Sequence, residues 1–259
     1  MMELLNLKAS IVALTQPRVP GISTAEELLA YVARVSNPSN QDNNATAPKL
    51  IKYLLKNHHW SPLEMVHVVV EVETTRDIAR QILRHRSFSF QEFSQRYADP
   101  TKELGFVTRE ARLQDKKNRQ NSIEILTEDD ERIKQWQLLQ YGVIGQAQEA
   151  YEWAIANGIA KEQARAVLPE GLTTSRLYMA GNLRSWHHYC SLRKGNGTQK
   201  EHSGIAQAIW EELRKDFPAT TQAIEEIEWE QRMGTMQVPA ETQSQPSTPH
   251  MKKWWKFWK

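Results

Sequence analysis

Arg76, Arg80 and Arg84 recur every four residues, and His85 and Arg86 follow directly. On a helix, that spacing lines the guanidinium groups along one face. Like charges so placed repel by about 0.2–0.5 kcal/mol per pair, and a helix C-terminus, which favours cations, offsets part of this. A solvated basic face is the plain reading of such a stripe. The next segment argues for more. Ser87-Phe88-Ser89-Phe90-Gln91-Glu92-Phe93-Ser94-Gln95-Arg96-Tyr97 interleaves hydroxyls, aromatic rings, a carboxylate and a further arginine. That mixture can hold a phosphate through charge-assisted bonds, stack a base and hydrogen-bond its edge.

Other residues with chemical potential are fewer. Cys190 is the single cysteine, so no disulfide within the chain and no cysteine-based zinc site is available. Set between Tyr189 and Leu192 with no base in a matching motif, it reads as a core thiol. His58, His59 and His67 fit no common zinc spacing, so no metal is expected. Gly195-Asn196-Gly197 reads as a turn between helices rather than a phosphate loop. No G-x-G-x-x-G follows a strand, so a Rossmann-type dinucleotide site is not expected. A binder of single-stranded nucleic acid, using the arginine stripe with Phe88, Phe90 and Phe93, is the competing class.

The extended pattern is specific. Arg84-His85-Arg86, seven residues and then Ser94, with Ser89, Glu92, Arg96 and Tyr97, resembles the signature of flavin-dependent thymidylate synthases. Further matches are Ala33-Arg34-Val35-Ser36, His59-Trp60-Ser61-Pro62-Leu63-Glu64, Ala164-Arg165-Ala166-Val167-Leu168-Pro169, Asn182-Leu183-Arg184-Ser185 with His188 and Arg193, and Gln199 with Glu201. The resemblance spans about Ala33 to Phe217. It implies an α+β fold, a central antiparallel or mixed sheet flanked by long helices, working as a homotetramer with shared active sites. It implies methylation of dUMP to dTMP, with 5,10-methylenetetrahydrofolate as carbon donor and NADPH-reduced FAD as hydride source. Carried over, Ser61, Arg84, His85, Arg86, Glu92, Asn182, Arg184 and His188 contact FAD. Gln81, Arg84, Glu92, Ser94, Gln95, Arg96, Arg165 and Arg193 hold dUMP. Arg193 is the catalytic group, favouring ionisation at the uracil N3, and Ser94 binds substrate rather than attacking it. Arg165, Asn182, Arg184 and Arg193 are expected to join the Arg84–Arg96 segment, from another subunit.

The elements that position these groups are partly legible. Apolar residues are 40% and charged residues 25% of 259, with net charge +2, so one folded domain of ordinary composition is expected and any anion site must come from local clustering. Ser10–Leu14 reads as a strand, and Thr24–Arg34 as a helix opened by a Thr24/Glu27 capping box. Ser36–Ala47 reads as a loop and Pro48–Asn57 as a helix. Met65–Glu73 alternates, with Val66, Val68, Val70 and Val72 on one face, which predicts a strand. Thr74–Arg86 follows as a helix. Asp99–Asn121 is a long polar loop with basic residues at Arg109, Arg112, Lys116, Lys117 and Arg119. Helices are expected over Asp129–Asn157, Lys161–Val167, Arg176–Leu192, Gln199–Phe217 and Ala219–Arg232.

The catalytic domain is thus placed at 1–232, a disordered linker at 233–250, and a basic aromatic tail at 251–259 with weak contact to a membrane or partner. The N-terminus carries no signal-peptide pattern and the lone cysteine suits a reducing compartment, so a cytoplasmic location is expected.

Overall fold

The computed structural model describes residues 8–127, 129–195 and 197–236, with side chains as far as residue 233. The expected tail at 251–259, and the linker beyond residue 236, lie outside these residues. Strand β1 is Lys8–Leu14. Helix α1, Ala25–Ala33, opens on the expected capping box: Thr24 accepts from the Glu27 N–H, and the Glu27 carboxylate accepts from the Thr24 N–H. Helix α2 is Ala47–Lys56, and the loop before it holds two short 3-10 turns. Arg34, buried, donates to Thr46 Oγ1 at 2.7 Å, so this arginine of the Ala-Arg-Val-Ser stretch pins that loop.

Strand β2, His67–Thr75, carries the valine face as expected: Val66, Val68, Val70 and Val72 are fully buried. Two expectations fail beside it. The helix expected over Thr74–Arg86 begins only at Arg76 and ends at Ile82 (α3), because Thr74 and Thr75, β-branched, extend the ladder by pairing with Ser175 and Thr174. Arg84–Arg86 therefore sit in a tight turn past the helix, in which the His85 N–H bonds the Ile82 carbonyl and the Phe88 N–H bonds the His85 carbonyl. The helix expected over Arg176–Leu192 is half strand. Thr174–Asn182 forms β6, and only Leu183–Arg193 is helical (α7). Ser175, Leu177, Met179 and Gly181 are buried while Arg176 and Tyr178 face out, the period-two pattern of a strand.

Strand β3, Ser89–Glu92, lies inside the motif segment and was not anticipated. The sheet runs β1-β2-β6-β3, antiparallel at each pairing. The polar stretch after Asp99 is also less irregular than expected. It contains a short helix α4, Pro100–Glu103, and strand β4, Arg112–Gln114, which forms a hairpin with β5, Ser122–Glu124. Helix α5, Glu131–Ala156, ends before Gly158, whose φ of +76° suits a glycine stop. Helices α6, Lys161–Ala164, α8, Lys200–Asp216, and α9, Pro218–Met236, complete the elements among the described residues. Helix α9 runs as far as Met236, four residues past Arg232. No helix among the described residues is long and apolar enough to cross a membrane.

Trp186 fixes α7 on the sheet. It is fully buried, and its indole N–H donates to the carbonyls of Val68 and Gly181, both at 3.2 Å. Phe88 packs edge-on against it, ring centroids 4.7 Å apart. A Cβ at Gly181 would fall 2.4 and 2.6 Å from Phe88 ring carbons. Gly181→Ala should therefore overpack the core and cost roughly 1–3 kcal/mol. Denaturant unfolding should show the loss, with part of it recovered when Phe88→Leu is added.

Candidate active site

Helices α3 and α7 start at opposite ends of the β2–β6 pair and converge on the motif turn. Arg193, on the last turn of α7, donates from Nε to His85 Nε2 at 2.9 Å. Arginine only donates, so Nε2 of His85 is the acceptor and the ring is neutral, with its proton on Nδ1. Burial first, then the Arg193 and His188 charges, push His85 down to about 4. The His85 ring meets Tyr189 edge-on at 4.8 Å and lies 6.2 Å from His202. His202, fully buried, contacts Gln81 Oε1 from Nδ1 at 3.2 Å and the Tyr189 hydroxyl from Nε2 at 3.1 Å. Gln81 Nε2 donates to Gln199 Oε1 at 2.9 Å. Burial first, then Arg193 and His85, hold His202 at about 3. Sequence reasoning missed His202 and Tyr189. The only signal was that His202 directly follows Glu201 of the matched stretch.

A second group forms at the N-terminus of α7. Asn182 caps it, accepting from the Ser185 N–H at 2.9 Å. Arg184 pairs with Glu64, so two separately matched stretches meet. A groove of about 470 Å³ opens there between Trp60, Glu64, Ser87, Asn182, Arg184 and His188. Ser61 begins the 3-10 turn that carries Glu64. Backbone N–H groups of a helix start, a guanidinium and an aromatic wall suit one portion of a dinucleotide cofactor. Through Ser87, and through the field of His188 on His85, this groove adjoins the Arg84–Arg86 turn.

The third group is the phosphate-type arm. Arg96 pairs with the Glu162 carboxylate at 3.0 Å, and Arg165 Nε donates to the Glu162 carbonyl at 3.3 Å. Both residues therefore sit against one residue of α6. Gln95 is buried, and its Nε2 has no partner among the described residues. Ser94 Oγ accepts from the Arg96 N–H at 3.4 Å. Glu92 is mostly buried: it accepts from Ser175 Oγ at 2.8 Å and pairs with Arg76 at 3.4 Å, so it anchors β3. Arg84 and Arg86 are exposed.

The expected arginine stripe is divided. Arg76 is buried against Glu92, Arg80 is exposed but pairs with Glu170 at 3.4 Å, and Arg84 lies exposed past the helix end. Phe88 is core, not a stacking platform, which removes one support of the nucleic-acid reading. Arg109 and Arg112, expected in a long polar loop, turn inward on Glu201. Within one chain, Arg193 contacts His85, and Arg165 and Arg96 both contact Glu162.

A small antiparallel α+β scaffold carries arginines at the end of α7, on the motif turn and on the Arg96–Arg165 arm, a charge arrangement suited to an anionic nucleotide. Residues 20–219 match the family model described as thymidylate synthase complementing protein. The chain belongs to the flavin-dependent thymidylate synthase family. It is 47% identical to the probable flavin-dependent thymidylate synthase of Paramecium bursaria Chlorella virus 1, over 85% of this chain and 99% of that protein. It is 49% identical to the flavin-dependent thymidylate synthase of Synechocystis sp., over 77% of this chain and 89% of that one. A crystal structure of a UMP/dUMP methylase from Streptomyces cacaoi, bound with 5-Br dUMP, superposes with a TM-score of 0.71 at 26% identity, covering 85% of this chain and 95% of that one.

The histidines give a pH signature. His85 and His187 are lowered to about 4, and His202 to about 3, from an ordinary 6.5, in each case chiefly by burial. Below pH 6.5 the unfolded chain binds protons that the folded chain refuses, so stability is full above that pH and falls as pH drops from 6.5 toward 4. Melting temperature measured across this window should decline, and His202→Gln should make the decline shallower. An equal slope in the variant would show that His202 is not held neutral.

Proposed function

We propose that this chain methylates dUMP to dTMP, with methylenetetrahydrofolate as carbon donor and FAD, reduced by NADPH, as the source of hydride. The observation that carries the reading is the convergence of Arg193, His85 and Gln81 at the meeting of α3, α7 and α8, together with the separate Arg96–Arg165 arm. Bound FAD supplies the redox chemistry, and the protein supplies orientation and field. Asn182, Arg184 and His188 line the groove assigned to part of it, with Ser61 and the Arg84–Arg86 turn at its edges.

The chain's own groups have distinct tasks. Arg96 and Arg165 take the nucleotide phosphate, with Ser94 and the unpartnered Gln95 amide. The Arg96–Glu162 pair is about half exposed on both sides, so it is worth only ~0–1 kcal/mol, and a phosphate can take over the guanidinium at small cost. Arg193 stands beside the uracil N3 and stabilises the anion formed when that nitrogen loses its proton, which makes C5 nucleophilic. His85, neutral, holds the Arg193 guanidinium by accepting from Nε.

We read the working form as a homotetramer with shared sites. Helix α5 supports this: Trp136, Leu138, Leu139, Val143 and Trp153 are large, apolar and exposed on it. Leu139→Glu should lower the sedimentation coefficient; an unchanged value would remove α5 from the assembly surface.

The whole reading is tested by FAD uptake, seen as a flavin absorbance band, and by release of tritium from C5-labelled dUMP that requires both folate and reductant. A colourless protein that binds oligonucleotides would overturn it. Arg193→Ala should keep FAD while slowing turnover by roughly 10²-fold or more. Normal turnover in that variant would refute the ring-activation role.

A further inference from the structure

Tyr189, His202, Gln81 and Gln199 form one hydrogen-bonded chain, and burial fixes its direction. Tyr189 is fully buried, and its hydroxyl has no partner among the described residues other than His202 Nε2, at 3.1 Å. If Nε2 carried the proton, the hydroxyl would accept and its own hydrogen would be left buried and unmade, a cost of roughly 1–3 kcal/mol. The hydroxyl therefore donates to Nε2. His202 is neutral, so its proton lies on Nδ1 and is donated to Gln81, at 3.2 Å. The Gln81 atom that receives it must be the carbonyl Oε1. The amide nitrogen is thereby turned the other way, where one of its hydrogens meets Gln199 Oε1 at 2.9 Å. Its second hydrogen has no partner among the described residues, and Gln81 is only half-buried.

A free glutamine side chain flips at little cost and can offer a ligand either a donor or an acceptor. This one cannot flip without breaking the chain behind it. We infer that the Tyr189–His202 pair locks Gln81 as a hydrogen-bond donor toward the nucleotide base, and so selects uracil over cytosine. The inference rests on the dUMP reading of the site. Gln81 belongs to the Arg193 cluster and not to the Arg96–Arg165 arm, so it faces the base rather than the phosphate. Uracil presents a carbonyl at C4, which accepts from an amide N–H; cytosine presents an amino group there, which would meet the amide donor to donor. Tyr189 and His202 act through Gln81 and touch no ligand, which makes them positioning residues. A site that presents a fixed donor leaves a buried clash or an unpaired group with the wrong base, the condition under which discrimination is large.

The test uses FAD-loaded protein and measures dissociation constants for dUMP and dCMP by titration. Tyr189→Phe keeps the ring and its packing while removing the hydroxyl that sets the tautomer. It should bind FAD as before but lower the dUMP-over-dCMP preference by roughly tenfold or more. His202→Leu should do the same. His202→Asn, whose amide N–H2 can stand in for Nδ1–H, should recover most of the preference, which a merely structural role would not predict. If wild-type protein binds dUMP with preference and both Tyr189→Phe and His202→Leu keep that preference, the lock is overturned while the function stands. If wild-type protein binds FAD but not dUMP, the proposed function falls and the lock with it.

Discussion

The site depends on the antiparallel pairing of β2 with β6. Nine residue pairs, from His67 with Asn182 to Thr75 with Thr174, hold the strands in register. Because the strands are antiparallel, the helix leaving β2 and the helix leaving β6 start at opposite ends of the pair. Helix α3 starts at Arg76 and α7 at Leu183, and each runs back along the same valine-lined core. Eleven residues of α7 span roughly 16 Å. That length carries Arg193 to the far end of α3, where His85 waits. A slip of one residue would turn the buried valines outward and carry Asn182 away from its capping position. The register and the catalytic contact are therefore one constraint.

Trp186 makes that constraint directional. Its indole bridges the carbonyls of Val68 and Gly181, one on each strand of the pair. Truncation of a buried tryptophan typically costs ~3–5 kcal/mol. Much of what holds α7 against the sheet is thus concentrated in one side chain about two turns before Arg193. Phe88 leans on the same ring, and Phe88 closes the Arg84–Arg86 turn. The motif's exposed arginines are positioned by an aromatic residue that faces the core, with the arginine-bearing turn on the other side.

How much of this was legible in the sequence follows from where the information lies. β2 was readable because its alternation is written in valines. β6 was not, because the buried face of the same alternation is Ser175, Leu177, Met179 and Gly181, in which a polar residue and a glycine hide the period. Its leucine, methionine and alanine also favour a helix by propensity, and pairing on both edges overrides that preference. The motif residues were found by their spacing, yet their division of labour was not. Whether an arginine is free or paired depends on partners far along the chain, such as Glu170 for Arg80 and Glu201 for Arg109 and Arg112. His202 lies 121 residues from Gln81, and its only local signal is that it follows the matched Glu201.

One electrostatic arrangement then follows from the crowding of cations. Burial disfavours charge on both imidazoles, and Arg193, which does not give up its proton within a protein, disfavours it further, so the imidazoles yield. Both become neutral, and a neutral imidazole, unlike an imidazolium, has an acceptor. His85 spends its acceptor on Arg193, and His202 spends its own on Tyr189. Each ring is left with a single N–H whose position is dictated by its neighbour. Positive charge at the site is thus confined to the guanidinium groups, where an anionic nucleotide needs it. The histidines contribute fixed dipoles, not charge. A second cation beside Arg193 would strengthen the pull on an anion but would leave the guanidinium without the acceptor that aims it. In this site, aim has been kept at the expense of charge.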